Sequence, residues 1–149
     1  MFAGSFRNLG FRADGALYVW GLNNFGANHL APYQLTYAGF MAVSVSHGGA
    51  HYLALMADGR FYAWGANGSG QLGTGNQSAQ ENPTLLGKLD LVAFSAGGSH
   101  SLGLKADGSL WAWGDNSKGQ LGQGDTANRL SPTQVKSFNA PRAVVIPMN

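Results

Sequence analysis

The side chains that could support catalysis lie in one short stretch. Ser99 and His100 are adjacent and Asp107 follows, so the stretch contains the three residue types of a serine hydrolase triad. A triad needs these side chains to converge around a serine on a sharp turn. Asp107 instead precedes Gly108, a pair typical of a hairpin turn, which would carry its carboxylate away from His100. We therefore predict that the chain is not an enzyme.

A glycine-rich segment imitates a dinucleotide-binding loop. Residues 68–73 read Gly-Ser-Gly-Gln-Leu-Gly, the glycine spacing that holds a pyrophosphate where a strand ends and a helix begins. No helical periodicity follows, and Gly-Gln-Leu-Gly recurs at 119–122. The recurrence favours a structural loop in which glycine accepts positive φ and close backbone approach. No cofactor is predicted.

The candidate metal ligands are few and dispersed. The chain has no cysteine, and His51 and His100 each follow a Gly-Gly-x sequence. A metal site needs several converging ligands. Asp115, Asn116 and Asp125 lack the spacing and terminal glutamate of a calcium loop. We predict no metal site and structural roles for both histidines.

These segments belong to a repeat. Asp-Gly pairs begin at residues 14, 58 and 107, and Trp-Gly pairs begin at 20, 64 and 113, so both series step by 44 and then 49 residues. Two landmarks that move together define one unit. We place the copies at about 1–39, 40–89 and 90–138, followed by a C-terminal strand within 139–149. The first copy carries Arg7 in place of the histidine and lacks Gly-Gln-Leu-Gly.

Each copy has the pattern of four short strands. In the second copy, two β-prone runs at 51–56 and 60–65 flank an Asp-Gly pair, a strong hairpin signal because glycine accepts positive φ. A further apolar run precedes the hairpin, and a proline opens another after the glycine-rich loop. We predict positive φ at the three turn glycines, Gly15, Gly59 and Gly108.

Aromatic residues mark the strand after each turn. Phe-Tyr-Ala-Trp at 61–64 and Leu-Trp-Ala-Trp at 110–113 place apolar side chains on both faces of a strand. A sheet that is apolar on both faces packs between two others, as propeller blades do. We predict that Trp64 and Trp113 are buried between sheets, and Trp20 holds the same repeat position.

The combined pattern resembles a known family. Gly-Gly-x-His, Leu-x-Leu, Asp-Gly, Trp-Gly-x-Asn and Gly-Gln-Leu-Gly-x-Gly, followed by proline, occur in order at 48–83 and 97–132. This order is similar to the regulator of chromosome condensation repeat. The resemblance implies an all-β fold of three four-stranded antiparallel blades of a β-propeller, incomplete as a single chain. It also implies protein binding through loops, since the founding member is an exchange factor for a small nuclear GTPase.

Charge and hydropathy argue against nucleic-acid and membrane partners. Nine Lys and Arg residues are scattered among seven Asp and Glu residues, so no basic stripe is available to follow phosphates and no nucleic acid is predicted. No apolar run approaches the ~20 residues of a membrane span, and no signal-peptide pattern is present. No membrane partner is predicted, and the location stays open between the cytoplasm and a virion.

The ends of the chain predict assembly. Three blades are fewer than the roughly four to eight of a closed propeller. Phe2 comes just before Gly4, so we expect the first copy to lack its opening strand and the copies to supply eleven strands. An apolar tail reads as a twelfth, comprising Ala143, Val144, Val145 and Ile146. We predict that this tail packs near the N-terminal blade, around Phe2, of another copy.

Two function classes follow. The favoured hypothesis is a non-catalytic structural or protein-interaction module that forms an oligomeric propeller or larger complex, such as a decoration or tail component of a phage virion. The alternative is guanine-nucleotide exchange, or other regulatory binding to a small GTPase. An exchange factor needs a large closed ring face, and the shortness of the chain disfavours that alternative.

Overall fold

A computed structural model describes residues 2–3, 7–14, 16–22, 28–34, 42–47 and 49–138. Regular structure in these ranges is entirely β. The strands are β1 Phe2–Ala3, β2 Arg7–Phe11, β3 Leu17–Leu22, β4 Asn28–Gln34, β5 Ala42–His47, β6 His51–Met56, β7 Arg60–Gly65, β8 Gln80–Lys88, β9 Leu91–Ala96, β10 His100–Lys105, β11 Leu110–Gly114 and β12 Arg129–Gln134.

The strands form three four-stranded sheets, each made of four consecutive strands. Neighbouring strands within each sheet pair antiparallel. We call the three sheets the first sheet (β1–β4), the second sheet (β5–β8) and the third sheet (β9–β12). The predicted all-β architecture of three four-stranded antiparallel blades is confirmed.

The expectation that the first copy lacks its opening strand is wrong. Phe2 and Ala3 form β1 and pair with Leu9 and Asn8 of β2. A strand of two residues can form this pairing, because antiparallel strands are joined by backbone N–H···O=C hydrogen bonds that require no particular side chain. The sheets thus contain twelve strands without the tail. Residues 143–146 lie outside the described ranges, and their pairing stays a prediction.

Aspartate side chains stabilise the hairpin turns. Gly59 and Gly108 have φ of +82° and +84°, and Gly15 lies outside the described residues. The Asp58 carboxylate accepts a hydrogen bond from the Arg60 amide at 3.0 Å. This bond favours the ionised form, so it lowers the pKa of Asp58. The Asp-Gly pair therefore specifies the turn through both residues.

The first and second sheets pack through an apolar cluster. Leu17 of β3 belongs to one buried cluster with side chains of β6 and β7. The cluster includes Tyr52 and Trp64, whose rings stack with centroids 5.1 Å apart. Trp64 is 3% exposed. Because neighbouring strand residues point to opposite faces, Trp20 lies on the far side of the first sheet from this cluster.

A larger cluster joins the second and third sheets. Leu53, Phe61 and Leu72 of the second repeat pack against Leu91 and Trp113 of the third. Trp113 is completely buried. The second sheet is therefore covered on both faces, as a propeller blade is. None of the described residues forms an apolar helix of membrane-spanning length.

Candidate interaction site

The residues of the suspected triad are not brought together. His100 begins β10, and Asp107 lies beyond the other end of that strand, in the turn before β11. The Asp107 carboxylate accepts hydrogen bonds from the Ser109 hydroxyl at 2.6 Å and the Ser109 amide at 2.8 Å. Its role in the structure is to hold this turn.

The glycine-rich segment 68–73 is a pair of tight turns. The Gly70 amide donates to the Asn67 carbonyl and the Gly73 amide donates to the Gly70 carbonyl, both at 2.9 Å. The buried Asn67 side chain holds the loop, because its Oδ1 accepts from the Leu72 amide at 3.0 Å and its Nδ2 donates to the Ser78 carbonyl at 3.0 Å. No helix starts here to receive a phosphate.

Asn116 repeats this arrangement in the third sheet. Its Oδ1 accepts from the Leu121 amide at 3.0 Å, and its Nδ2 donates to the carbonyls of Asp125 and Ala127 at 2.9 and 3.0 Å. Sequence reasoning did not assign this role to Asn67 or Asn116. The signal was present, because an asparagine follows each Trp-Gly pair at the same spacing.

The described residues contain no cluster of three or more His, Asp or Glu side chains that could bind a metal ion. Asp125, from the suspected calcium loop, pairs with Arg129 at 2.8 Å. This ion pair is the main cause of the lowered pKa of Asp125. The carboxylate thus has a structural partner within its own loop.

His51 takes part in a buried hydrogen-bond chain between two sheets. His51 Nε2 lies 2.8 Å from Ser101 Oγ, and the Ser101 hydroxyl donates to the Gln71 carbonyl at 2.8 Å. The three residues are almost fully buried. The chain links β6, β10 and the glycine-rich loop, which gives His51 a place in the contact between sheets.

Ser101→Ala is expected to lower the free energy of unfolding by about 1–3 kcal/mol, because it leaves buried polar groups without a hydroxyl partner. Urea denaturation of the two proteins measures this loss. Ser95→Ala, at an exposed position on neighbouring β9, is the control and should change little. Equal stabilities for Ser101→Ala and the unmodified chain would contradict the role of this hydrogen-bond chain.

One face of the third sheet repeats a buried face of the second. Ser101 and Trp113 contact the second sheet, so alternation along β10 and β11 puts their neighbours on the opposite side. We call this side the third-sheet face, and its residues are His100, Leu102, Leu104, Leu110, Ala112 and Leu121. Each lies 49 residues after a member of the second sheet's buried face, which consists of His51, Leu53, Leu55, Phe61, Ala63 and Leu72.

The third-sheet face is less covered than its counterpart. Leu102 and Leu110 are only partly buried, whereas the equivalent Leu53 and Phe61 are 0% exposed. An open cavity of about 180 Å³ lies here, lined by apolar side chains that include Leu102, Leu104 and Leu110. Ala112 and Leu121 of this face are 0% and 1% exposed. The part of the face around Leu102, Leu104 and Leu110 has the composition of a sheet contact, but none of the described sheets covers it.

The first sheet carries the complementary face. Asn8, Gly10, Tyr18 and Trp20 lie on its side away from the second sheet, and we call them the first-sheet face. In the third repeat, the equivalent positions are Ser101, Gly103, Trp111 and Trp113. The strands pair in the same register in both sheets, since Asn8 pairs with Trp20 and Ser101 pairs with Trp113. The third-sheet face thus corresponds to the side of the second sheet that contacts the third sheet, and the first-sheet face corresponds to the side of the third sheet that contacts the second.

Solved structures have a similar fold. Human WBSCR16 is 22% identical with a TM-score of 0.78, over 91% of this chain and 39% of that chain. Prp20p from Saccharomyces cerevisiae is 23% identical with a TM-score of 0.80, over 93% of this chain and 37% of that one. Yeast RCC1 (Prp20) bound to Kap60 is 23% identical with a TM-score of 0.76, over 96% and 35%. This chain spans less than half the length of each, and at these identities the likeness shows the fold alone.

The repeats match a family directly. The regulator of chromosome condensation (RCC1) repeat matches residues 58–104 and 107–146, which is more than half of the chain. A second description of the same repeat matches residues 42–71 and 91–120. A comparison with curated proteins gives no match. The repeat matches and the three stacked sheets show that the chain belongs to the regulator of chromosome condensation (RCC1) repeat family of β-propellers.

Proposed function

We propose that this chain is a non-catalytic protein-interaction module that associates with copies of itself through its two outer sheet faces. One observation carries the proposal: the third-sheet face repeats, position by position, the face that the second sheet buries against the third. The occupant of such a face should resemble the buried side of the third sheet. The first-sheet face has that character, because it carries Trp20 at the position of Trp113.

The energetics of the faces support association. Leu102, Leu104 and Leu110 belong to one continuous apolar surface, and surfaces of this kind are usually covered in proteins. Burial contributes about 25 cal/mol per Å² of apolar area. The six residues of the third-sheet face include no Lys, Arg, Asp or Glu. Covering these residues therefore does not incur the free-energy cost of burying an unpaired Lys, Arg, Asp or Glu charge.

Native mass measurement tests the proposal. We expect the purified protein to give species at multiples of 15.6 kDa. Leu104→Glu should raise the dissociation constant by about thirty-fold, the effect of an interface hot spot. Leu85→Glu is the control, because Leu85 is 50% exposed on β8 of the second sheet and should not affect association. A monomer at every concentration would contradict self-association.

Regulatory binding to a small GTPase is the alternative. The binding properties of Prp20p to Gsp1p and histones were described together with its structure, but this chain spans only 37% of that protein. The described faces favour self-association over this alternative. A nucleotide-release assay with a small GTPase tests it. The more specific hypothesis of a virion component stays a prediction, and electron microscopy of native particles would test it.

A further inference from the structure

The glycine-rich loop of the second repeat is filled by a segment of the third sheet. A Cβ atom added at Gly70 would lie 2.6 Å from Leu130 Cδ2 and 2.8 Å from Leu130 Cα, and one added at Gly73 would lie 3.1 Å from Pro132 Cδ. The Gly75 amide donates to the Leu130 carbonyl at 2.8 Å. We call loop 70–75 the second-repeat cradle, and the Leu-Ser-Pro segment 130–132 fills it.

The third repeat has the same cradle, and no described residue fills it. Gly119, Gly122 and Gly124 have φ of +75°, +64° and +80°, as the second-repeat cradle has +83°, +75° and +81°. A Cβ atom at Gly119 or Gly124 would meet nothing within 4 Å, and one at Gly122 would approach only Val135 Cγ1, at 3.3 Å. We call loop 119–124 the third-repeat cradle.

A matching segment is exposed on the first sheet. Residues 30–32 of β4 read Leu-Ala-Pro, against Leu-Ser-Pro at 130–132 of β12. The register is the same, because His29 pairs with Gly21 as Arg129 pairs with Gly114. Leu30 is 96% exposed, although its counterpart Leu130 packs against Gly70. An exposed leucine of this kind has no packing role within the described part of the chain.

The second sheet shows when a leucine occurs at this position. Gln80 pairs with Gly65 in the same register, which makes Glu81 the counterpart of Leu30 and Leu130. Glu81 belongs to the sheet that follows the first repeat, and the first repeat lacks the Gly-Gln-Leu-Gly loop. In this chain, Leu130 follows a repeat with a complete cradle, and Glu81 follows the repeat in which the cradle is missing.

The comparison of Leu130 with Glu81 indicates the kind of neighbour that the first sheet fits. Leu30 has the residue type that a cradle selects, and the third-repeat cradle is open. We propose that Leu30, Ala31 and Pro32 of a second copy fill the third-repeat cradle of the first, head to tail. The inference rests on the proposed self-association and specifies its geometry.

The same geometry pairs the remaining residues of the two faces. If the internal contact is repeated between copies, His100 meets Asn8 of the second copy as His51 meets Ser101. The Gly124 amide would donate to the Leu30 carbonyl of the second copy, as the Gly75 amide does to Leu130. Such an interface uses different surfaces on its two sides, so each copy can bind one neighbour at each end, and a suitable rotation closes a ring.

Cysteine cross-linking tests the contact in a chain without native cysteine. Ser131 Oγ lies 3.6 Å from a Cβ atom placed at Gly75, close to the reach of a disulfide. Mixing Ala31→Cys with Gly124→Cys should therefore give a disulfide-linked pair containing one chain of each kind. The control replaces Gly124→Cys by Gly75→Cys, whose cradle is already filled by the third sheet. Cross-linking at equal yield in both mixtures would overturn the proposal.

Leu30→Asp gives a second measurement. It should raise the dissociation constant of the assembly by about thirty-fold and leave the melting temperature of the monomer unchanged, because Leu30 is exposed. Leu85→Asp is the matched control. If the unmodified chain assembles but Leu30→Asp assembles equally well, the cradle contact is wrong and the proposed function stands. If the unmodified chain is monomeric at every concentration, both are wrong.

Discussion

Trp113→Ala is expected to lower the free energy of unfolding by about 3–5 kcal/mol, the largest loss that we predict for a single side chain. Trp113 is 0% exposed and belongs to the cluster that joins the second and third sheets. Its removal loses the transfer free energy of the indole ring and leaves a cavity, because neighbouring strands cannot collapse around it without breaking their pairing. Urea denaturation monitored by circular dichroism measures the change.

Trp20→Ala is the matched control for this prediction. Trp20 holds the same repeat position on the first-sheet face, where it is only partly buried, so its removal should cost the monomer clearly less. An unchanged melting temperature for Trp113→Ala, or equal losses for both variants under monomeric conditions, would contradict the stacked-sheet packing described above.

Gly70→Ala is expected to be the most damaging glycine substitution in the two cradles. Alanine at φ of +83° costs about 1 kcal/mol or more. Its Cβ would also lie 2.8 Å from Leu130 Cα, and relieving such overpacking costs a further ~1–3 kcal/mol. Because the contact is with backbone, a side-chain rotation cannot remove it. The difference in free energy of unfolding in urea measures the effect.

Gly119→Ala separates the two causes. Gly119 has a similar φ of +75°, but an added Cβ meets nothing within 4 Å, so only the backbone cost of about 1 kcal/mol applies. Equal losses for Gly70→Ala and Gly119→Ala would show that the Leu130 contact contributes nothing. If the third-repeat cradle receives Leu30 of a second copy, Gly119→Ala should also weaken assembly more than it weakens the fold.

These predictions distinguish folding from association. Trp113 and Gly70 lie where one chain already joins its second and third sheets, whereas Trp20 and Gly119 hold the same positions at the two outer faces. Substitutions at the inner positions should lower the stability of the monomer. Substitutions at the outer positions should mainly change the dissociation constant. The repeat thus provides a matched internal control for each interface residue.

The local architecture could be predicted from the sequence alone. The matched spacing of the Asp-Gly and Trp-Gly pairs predicted the hairpins and the stacked four-stranded sheets, because turn chemistry and strand alternation act over a few neighbouring residues. The same patterns indicated that the triad around His100 and the glycine-rich loop at 68–73 are structural. The sequence predicted the wrong extent of the first sheet, because a strand as short as Phe2–Ala3 has too few residues to show an alternating pattern.

The contacts between sheets were decided by the tertiary structure. In the second repeat, Tyr52 occupies the position equivalent to Ser101, so the repeat pattern did not predict the hydrogen bond between Ser101 and His51. The two cradles share glycines at the same spacing. Only the positions of neighbouring atoms show that Leu130 fills one, whereas no described residue fills the other. These differences depend on residues that are distant in sequence and adjacent in space. A repeated sequence determines similar sheets, but the contacts of each sheet depend on which neighbours cover it.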